Sequence, residues 1–147
     1  MEQEMADLII KAFKRGNFLF TFGNGGSAEL ANHMAGEFIG KYLHERRALP
    51  AISLCNNSSI LTSISNDSTF DFVFSRQLEA LGRKGDIVIG FSTSGNSVNV
   101  NDALGTAEQI GLKVIDFPRK GKSTPEIQEY QLKLMHEVCK IVEEAFL

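Results

Sequence analysis

Cysteine, surplus positive charge and long apolar runs are all scarce in this sequence, and each scarcity closes off a class of function. Only two cysteines occur, Cys55 and Cys139, far apart and outside any CxxC redox or metal spacing, so they read as free, packed thiols. Lys and Arg are scattered, the formal net charge is -3 and the pI is near 5.6. That leaves no basic footprint for a phosphate backbone, and no nucleic-acid partner is expected. No stretch reaches the roughly 18 consecutive apolar residues of a membrane helix, and the first segment is acidic and amphipathic rather than a signal-peptide core. The expectation is a cytoplasmic protein without a membrane partner, and no internal repeat or low-complexity segment modifies it.

What is present suffices for one core. With 147 residues, 43% of them hydrophobic, residues 1–147 are expected to form a single domain. Met5, Leu8, Ile9, Ala12 and Phe13 recur at helical spacing before Gly16-Asn17, predicting an amphipathic helix with a stop. Phe18 to Phe22 reads as a strand, and a second helical stripe of Ala31, Met34, Ala35, Phe38 and Ile39 runs to about Tyr42. Ala51 to Cys55 predicts strand two, Ile60 to Ser65 a short helix, Asn66 to Thr69 a polar loop, and Val73 to Leu81 another helix. The β-branched run from Asp86 to Phe91 predicts a strand buried on both faces. A helix over 98–110 closed by Gly111, a strand over 113–117, and a long last helix with Thr124 as N-cap and Pro125 at its first position complete the reading. This alternation predicts a three-layer α/β/α sandwich around a parallel sheet, flavodoxin-like or Rossmann-like.

Two loops follow strands at the sheet edge where such folds bind ligands. Gly23-Asn24-Gly25-Gly26-Ser27 opens a helix whose N-terminal N–H groups favour an anion or an oxygen-rich ligand. Ser92-Thr93-Ser94-Gly95-Asn96-Ser97 can surround a phosphate with hydroxyl and backbone N–H donors, and serves equally well as a capping and turn cluster. Downstream of the first loop, His33 and Glu37 share a helix face at i and i+4 with Gly36 and Gly40. The pair fits an ordinary exposed ion pair, and the glycines fit the close approach of another backbone or subunit. On the last helix Gln128 and His136 can point to one side.

Three familiar motifs fail. Gly23-x-Gly25-x-x-Ala28 matches a dinucleotide fingerprint, but Cys55-Asn56-Asn57 stands where an acid should hold the ribose, so no nucleotide cofactor is expected. Neither loop has the Gly-Lys-Ser/Thr of a P-loop, and Ser92-Thr93-Ser94-Gly95 lacks the first glycine of a nucleophile elbow.

Gly23-Asn24-Gly25-Gly26-Ser27, His33-Met34-Ala35-Gly36-Glu37, Asn66-Asp67, Ser92 to Ser97 and Thr124-Pro125-Glu126-Ile127-Gln128-Glu129, in that order, resemble the sugar-isomerase (SIS) fold, and within it the phosphoheptose isomerase family. The resemblance implies interconversion of sedoheptulose 7-phosphate and D-glycero-D-manno-heptose 7-phosphate, an aldose–ketose isomerisation through an enediol. It implies Glu37 and His136 as the catalytic acid/base pair. It assigns the phosphate to Ser92, Thr93, Ser94 and Ser97, the sugar oxygens to Asn24, Gly25, Gly26 and Ser27, and further substrate contacts to Asp67 and Gln128. It also implies zinc on His33, Glu37, Gln128 and His136, and a homotetramer with active sites at subunit interfaces. Compared with the family the chain lacks much of a long N-terminal helix and a stretch near Gly121-Lys122 where a further strand would lie. Glu126 replaces a common arginine, and Gln131 replaces a frequent histidine. The competing implication is a non-catalytic SIS-domain regulator, such as those of replication initiation; His136 is the residue that argues for the enzyme.

Overall fold

The computed structural model describes residues 1–147. In chain order the elements are α1 (Glu2–Lys14), β1 (Leu19–Gly23), α2 (Gly26–Ile39), β2 (Ala51–Ser53), α3 (Ser58–Asp67), a 3₁₀ turn at Phe70–Phe72, α4 (Ser75–Leu81), β3 (Ile87–Phe91), α5 (Val98–Gln109), β4 (Lys113–Val114) and α6 (Thr124–Glu144). All strand pairs are parallel and the order is β2-β1-β3-β4. The chain therefore steps outward from β1 to one side, crosses back, and continues to the other. The carboxyl ends of β1 and β3 lie together at the reversal, with Gly23 in register with Phe91, and the glycine and serine loops both leave from there, at the edge where such sheets bind ligands.

Side-chain alternation along the strands builds one core on each face. Leu19, Ile87, Ile89 and Phe91 join Met5, Phe13, Met34, Phe38, Met135 and Val138 from α1, α2 and α6. Phe20, Phe22 and Val88 point the other way, into Phe74, Leu78, Val100 and Ala103 from the layer of α3, α4 and α5. Both five-residue central strands are buried throughout, as expected of a parallel sheet covered on both faces. Buried side-chain hydrogen bonds fix the layers: Thr21 Oγ1 donates to the Ala31 carbonyl of α2 at 2.8 Å, and Gln77 Nε2 donates to the Leu54 and Val73 carbonyls at 2.9 and 2.8 Å.

Several boundaries differ from the sequence reading for local reasons. Strand one begins at Leu19 because the Phe18 N–H is taken by Asp86 Oδ1 at 2.9 Å rather than by a ladder partner. Strand two stops at Ser53, and strand four at Val114, although Ile115 still donates to Val88 at 3.0 Å. Asn66 and Asp67, expected in a loop, are the last residues of α3, because Asn57 caps that helix by accepting from Ile60 N at 3.1 Å and it runs on. Phe70 to Phe72 form a separate turn, so α4 begins only at Ser75. Helix α2 ends at Ile39, which makes Gly40 its cap rather than an interior residue. Ser123, not Thr124, caps α6: its Oγ accepts from Glu126 N at 3.5 Å while Glu126 Oε2 accepts from Lys122 N at 2.6 Å. Glu126 is thus explained locally: it reaches back to the N–H just before the cap residue, a variant of the capping box, in which the cap residue's own N–H would be the donor.

Candidate active site

Helices α2 and α6 pack against each other and bring residues far apart in sequence into one cluster. His33 Nε2 lies 2.8 Å from Glu37 Oε1 on α2, and His136 Nε2 of α6 lies 3.5 Å from His33 Nε2. The two imidazoles meet edge to face with centroids 5.0 Å apart, and Tyr42 stacks on the other side of His136 at 5.5 Å. The His33 side chain is 41% exposed and that of Glu37 19%, so the cluster is reachable by a solute yet partly sheltered. Burial, and then the nearby Cys139, Glu37 and Glu143, push the Tyr42 phenol above its ordinary value. Gln128 of α6 and His33 border the same cavity of about 310 Å³, with Gly26 and Glu29. A Cβ at Gly26 would collide with the Gln128 amide, so a larger residue there would push that side chain out of its present position.

His33 Nε2 cannot satisfy both of its neighbours with one hydrogen. Protonated, it donates to Glu37 and has no lone pair for His136; unprotonated, it accepts from His136 and faces the carboxylate lone pairs. One ligand atom each from His33, Glu37 and His136 lies within 4.8 Å of the others. Two imidazole nitrogens and a carboxylate converging in this way form a donor set that fits a metal ion.

The loops supply the rest. Asn24 and Asn99 exchange amide hydrogen bonds at 2.8 and 2.9 Å, lashing the glycine loop to the first turn of α5. Ser27 is buried in the first turn of α2, with its N–H on the Asn24 carbonyl at 3.0 Å. In the second loop Ser92 Oγ accepts from Gly95 N at 3.0 Å and lies 3.3 Å from Ser97 Oγ, and Ser94 Oγ accepts from Asn96 N at 3.0 Å. Ser97 makes no side-chain cap on α5, so the first N–H groups of that helix are left for an anion. Thr93 lies between, partly exposed.

Asp67 stands apart. It is exposed at the end of α3, in the layer across the sheet from α2 and α6, and borders a cavity of about 570 Å³ with Ser63, Arg76 and Asp102. Gly36 faces open space, so no part of this chain fills the gap expected beside it. Both thiols are unpaired, and burial raises the pKa of each, which leaves them unreactive packing groups.

Sequence reasoning missed Tyr42, Asn99 and a clamp at the end of α2. Arg46 donates to the carbonyls of Glu37, Phe38 and Gly40 at 2.6, 2.9 and 2.8 Å. Glu143 of α6 accepts from the backbone N–H of Tyr42, Leu43 and His44 at 2.8, 2.8 and 3.0 Å. The side chains of Arg46 and Glu143 are 0% and 2% exposed. The one available signal was a glutamate inside the apolar stripe of α6.

The sequence model of the family described as SIS domain matches residues 3–117. A phosphoheptose isomerase from Synechocystis sp. is 49% identical over 157 residues, covering 96% of this chain and 81% of its own. One from Pelobacter propionicus is 47% identical over 158 residues, covering 97% of this chain and 84% of its own. Among solved structures, the phosphoheptose isomerase GmhA from Neisseria gonorrhoeae superposes with a TM-score of 0.89 at 34% identity, and a phosphoheptose isomerase from Francisella tularensis with 0.93 at 25% identity. Each covers 97% of this chain and 85% of the other.

Proposed function

The chain belongs to the phosphoheptose isomerase family, built on the SIS fold, and from that premise we propose that it interconverts sedoheptulose 7-phosphate and D-glycero-D-manno-heptose 7-phosphate with Glu37 and His136 as its acid/base pair. The observation that carries the assignment of roles is the convergence of His33, Glu37 and His136 from two helices at the edge of an open cavity. An aldose–ketose isomerisation moves a proton between C1 and C2 and another between their oxygens, through an enediol. Glu37 takes the carbon-bound proton, and His136 gives and recovers a proton at oxygen, the division that two groups in different surroundings permit. Tyr42, stacked on the His136 ring, limits how that ring can turn. The serine loop and the start of α5 hold the phosphate, so binding energy remote from the reacting carbons positions them. The glycine loop, tied to α5 through Asn24 and Asn99, holds sugar oxygens.

His33, Glu37 and His136, with Gln128 alongside, would hold zinc, which would polarise the sugar oxygens as a Lewis acid. The active assembly is a homotetramer whose sites lie at subunit interfaces in the cytoplasm. Three observations support the interface: Asp67 is on the layer opposite Glu37 and would serve a neighbour's site, Gly36 is uncovered, and α3 has no buried residue although it carries Ile60, Leu61 and Ile64.

The test is turnover. Purified protein, with and without added zinc, should interconvert the two heptose phosphates, and Glu37→Gln or His136→Gln should lower kcat by at least about 100-fold with the far-UV circular dichroism unchanged. An inert wild type would remove the isomerase reading.

A further inference from the structure

Every donor that the serine loop itself offers is neutral. Ser92, Thr93, Ser94, Gly95, Asn96 and Ser97 contribute hydroxyls, an amide and N–H groups, and the end of α5 adds roughly half a positive charge. A phosphate monoester carries about 1.5 to 2 negative charges at neutral pH, so the loop leaves most of that charge unmatched.

One guanidinium stands against this loop. A Cβ built on Gly95, whose φ is +71°, would lie 3.2 Å from Arg119 Nε and 3.5 Å from its Cζ. Arg119 therefore rests on the one residue of the loop that has no side chain. Its position is fixed by its neighbours in the chain. Phe117 is fully buried and meets Phe91, the residue just before Ser92, edge to face at 4.9 Å. The Pro118 carbonyl accepts from the buried Gln131 Nε2 at 3.3 Å, and the Lys122 N–H is held by Glu126. Two aromatic rings thus set the serine loop and the Arg119 segment side by side. The guanidinium spends one donor, Nη1, on Asp116 Oδ1 at 3.3 Å in an exposed pair, the kind that contributes little. Nε and Nη2 remain for a ligand, in the fork geometry that suits phosphate oxygens.

We infer that Arg119 supplies the cationic arm of the phosphate site, closing over Gly95 onto the phosphate held by the serine loop. The inference rests on the reading of that loop as the phosphate cradle. It adds a residue that none of the motifs carrying the family resemblance contains: Arg119 belongs to the short connection between β4 and α6. Arg119 is also a specificity device: it rewards a doubly charged phosphate over a neutral hydroxyl at that end of the sugar.

The test titrates the full-length protein with inorganic phosphate in a calorimeter, so that binding is read without turnover, and then measures KM for sedoheptulose 7-phosphate. Arg119→Gln should weaken phosphate binding and raise KM by about tenfold, with kcat within about twofold of wild type, and Arg119→Lys should recover part of the loss. The side chain is 34% exposed, so both variants should fold, and thermal unfolding checks this. Equal phosphate affinity in wild type and Arg119→Gln overturns the inference, as does a fall in kcat without a change in KM. Ser94→Ala and Ser97→Ala separate the two readings. If they weaken phosphate binding and Arg119→Gln does not, only the role of Arg119 falls; if they leave phosphate binding intact, the cradle itself is refuted and the inference falls with it.

Discussion

Replacing Glu143 by alanine removes the acceptor that holds the chain segment behind α2. In the native protein its carboxylate accepts three backbone N–H groups between 2.8 and 3.0 Å and lies 3.6 Å from Arg46 Nε. Arg46 in turn caps α2 through the carbonyls of Glu37, Phe38 and Gly40. Truncation leaves the buried Arg46 charge without its counter-charge, its carbonyl hydrogen bonds remaining, and strips three amide groups of their acceptor. Each lost donor partner costs about 1–3 kcal/mol, but the losses overlap, and removing one member of a buried ion pair costs about 3–5 kcal/mol in total. Against a domain stability of about 5–15 kcal/mol that is a large share. With a urea m-value of about 2 kcal/mol/M, the unfolding midpoint should fall by about 2 M. The pH dependence gives a second reading. Burial pushes the Glu143 carboxyl up, but the N–H groups of Leu43, Tyr42 and His44 and the His44 ring outweigh it and hold the pKa below the ordinary value. The contribution is therefore complete above the unfolded value of about 4.3 and is lost as pH falls through the lower folded value. The difference between wild type and Glu143→Gln should be constant near neutrality and shrink below about pH 4. A midpoint shift equivalent to less than about 1 kcal/mol for Glu143→Ala would refute the clamp, since that is the size of an exposed pair.

Two further perturbations follow from the loops and the cluster. Gly95→Ala forces an L-residue into φ +71° and should destabilise by about 1–2 kcal/mol in urea unfolding, with an accompanying loss of phosphate affinity because the new methyl meets Arg119. A stable variant with wild-type phosphate binding would contradict that packing. If the His33, Glu37 and His136 cluster holds zinc, dialysed wild-type protein should retain about one metal per chain by elemental analysis, and His136→Gln should retain less than half of that. Equal retention would place the metal elsewhere.

The periodicity of the sequence delivered the layers because parallel strands buried on both faces leave an unmistakable apolar run, as at Ile87 to Phe91. The position of the two loops was legible too, since glycine and hydroxyl residues directly after a strand mark where the chain turns into the next helix. Boundaries were harder. Asn57 as a cap extends α3 through Asp67, and Asp86 intercepts the first ladder hydrogen bond at Phe18; both are side-chain events that hydrophobic spacing does not record. The site itself was half legible. His33 and Glu37 lie one turn apart and pair by spacing, whereas their meeting with His136 spans 103 positions and depends on helix packing; spacing placed His136 beside Gln128 on the last helix, and only the family resemblance joined it to His33 and Glu37. Asn99, Tyr42, Arg46 and Arg119 carry no motif at all, and each acquires its place only when a distant element folds against it.

The central claim is that Glu37 removes a carbon-bound proton from a heptose phosphate held between α2, α6 and the serine loop. Incubating sedoheptulose 7-phosphate with the protein in deuterium oxide, and following the product by mass spectrometry, tests it most directly. The wild type should place solvent deuterium on C2 of the aldose product, and Glu37→Gln should abolish that incorporation while still binding inorganic phosphate. Undiminished deuterium incorporation by Glu37→Gln would contradict the account.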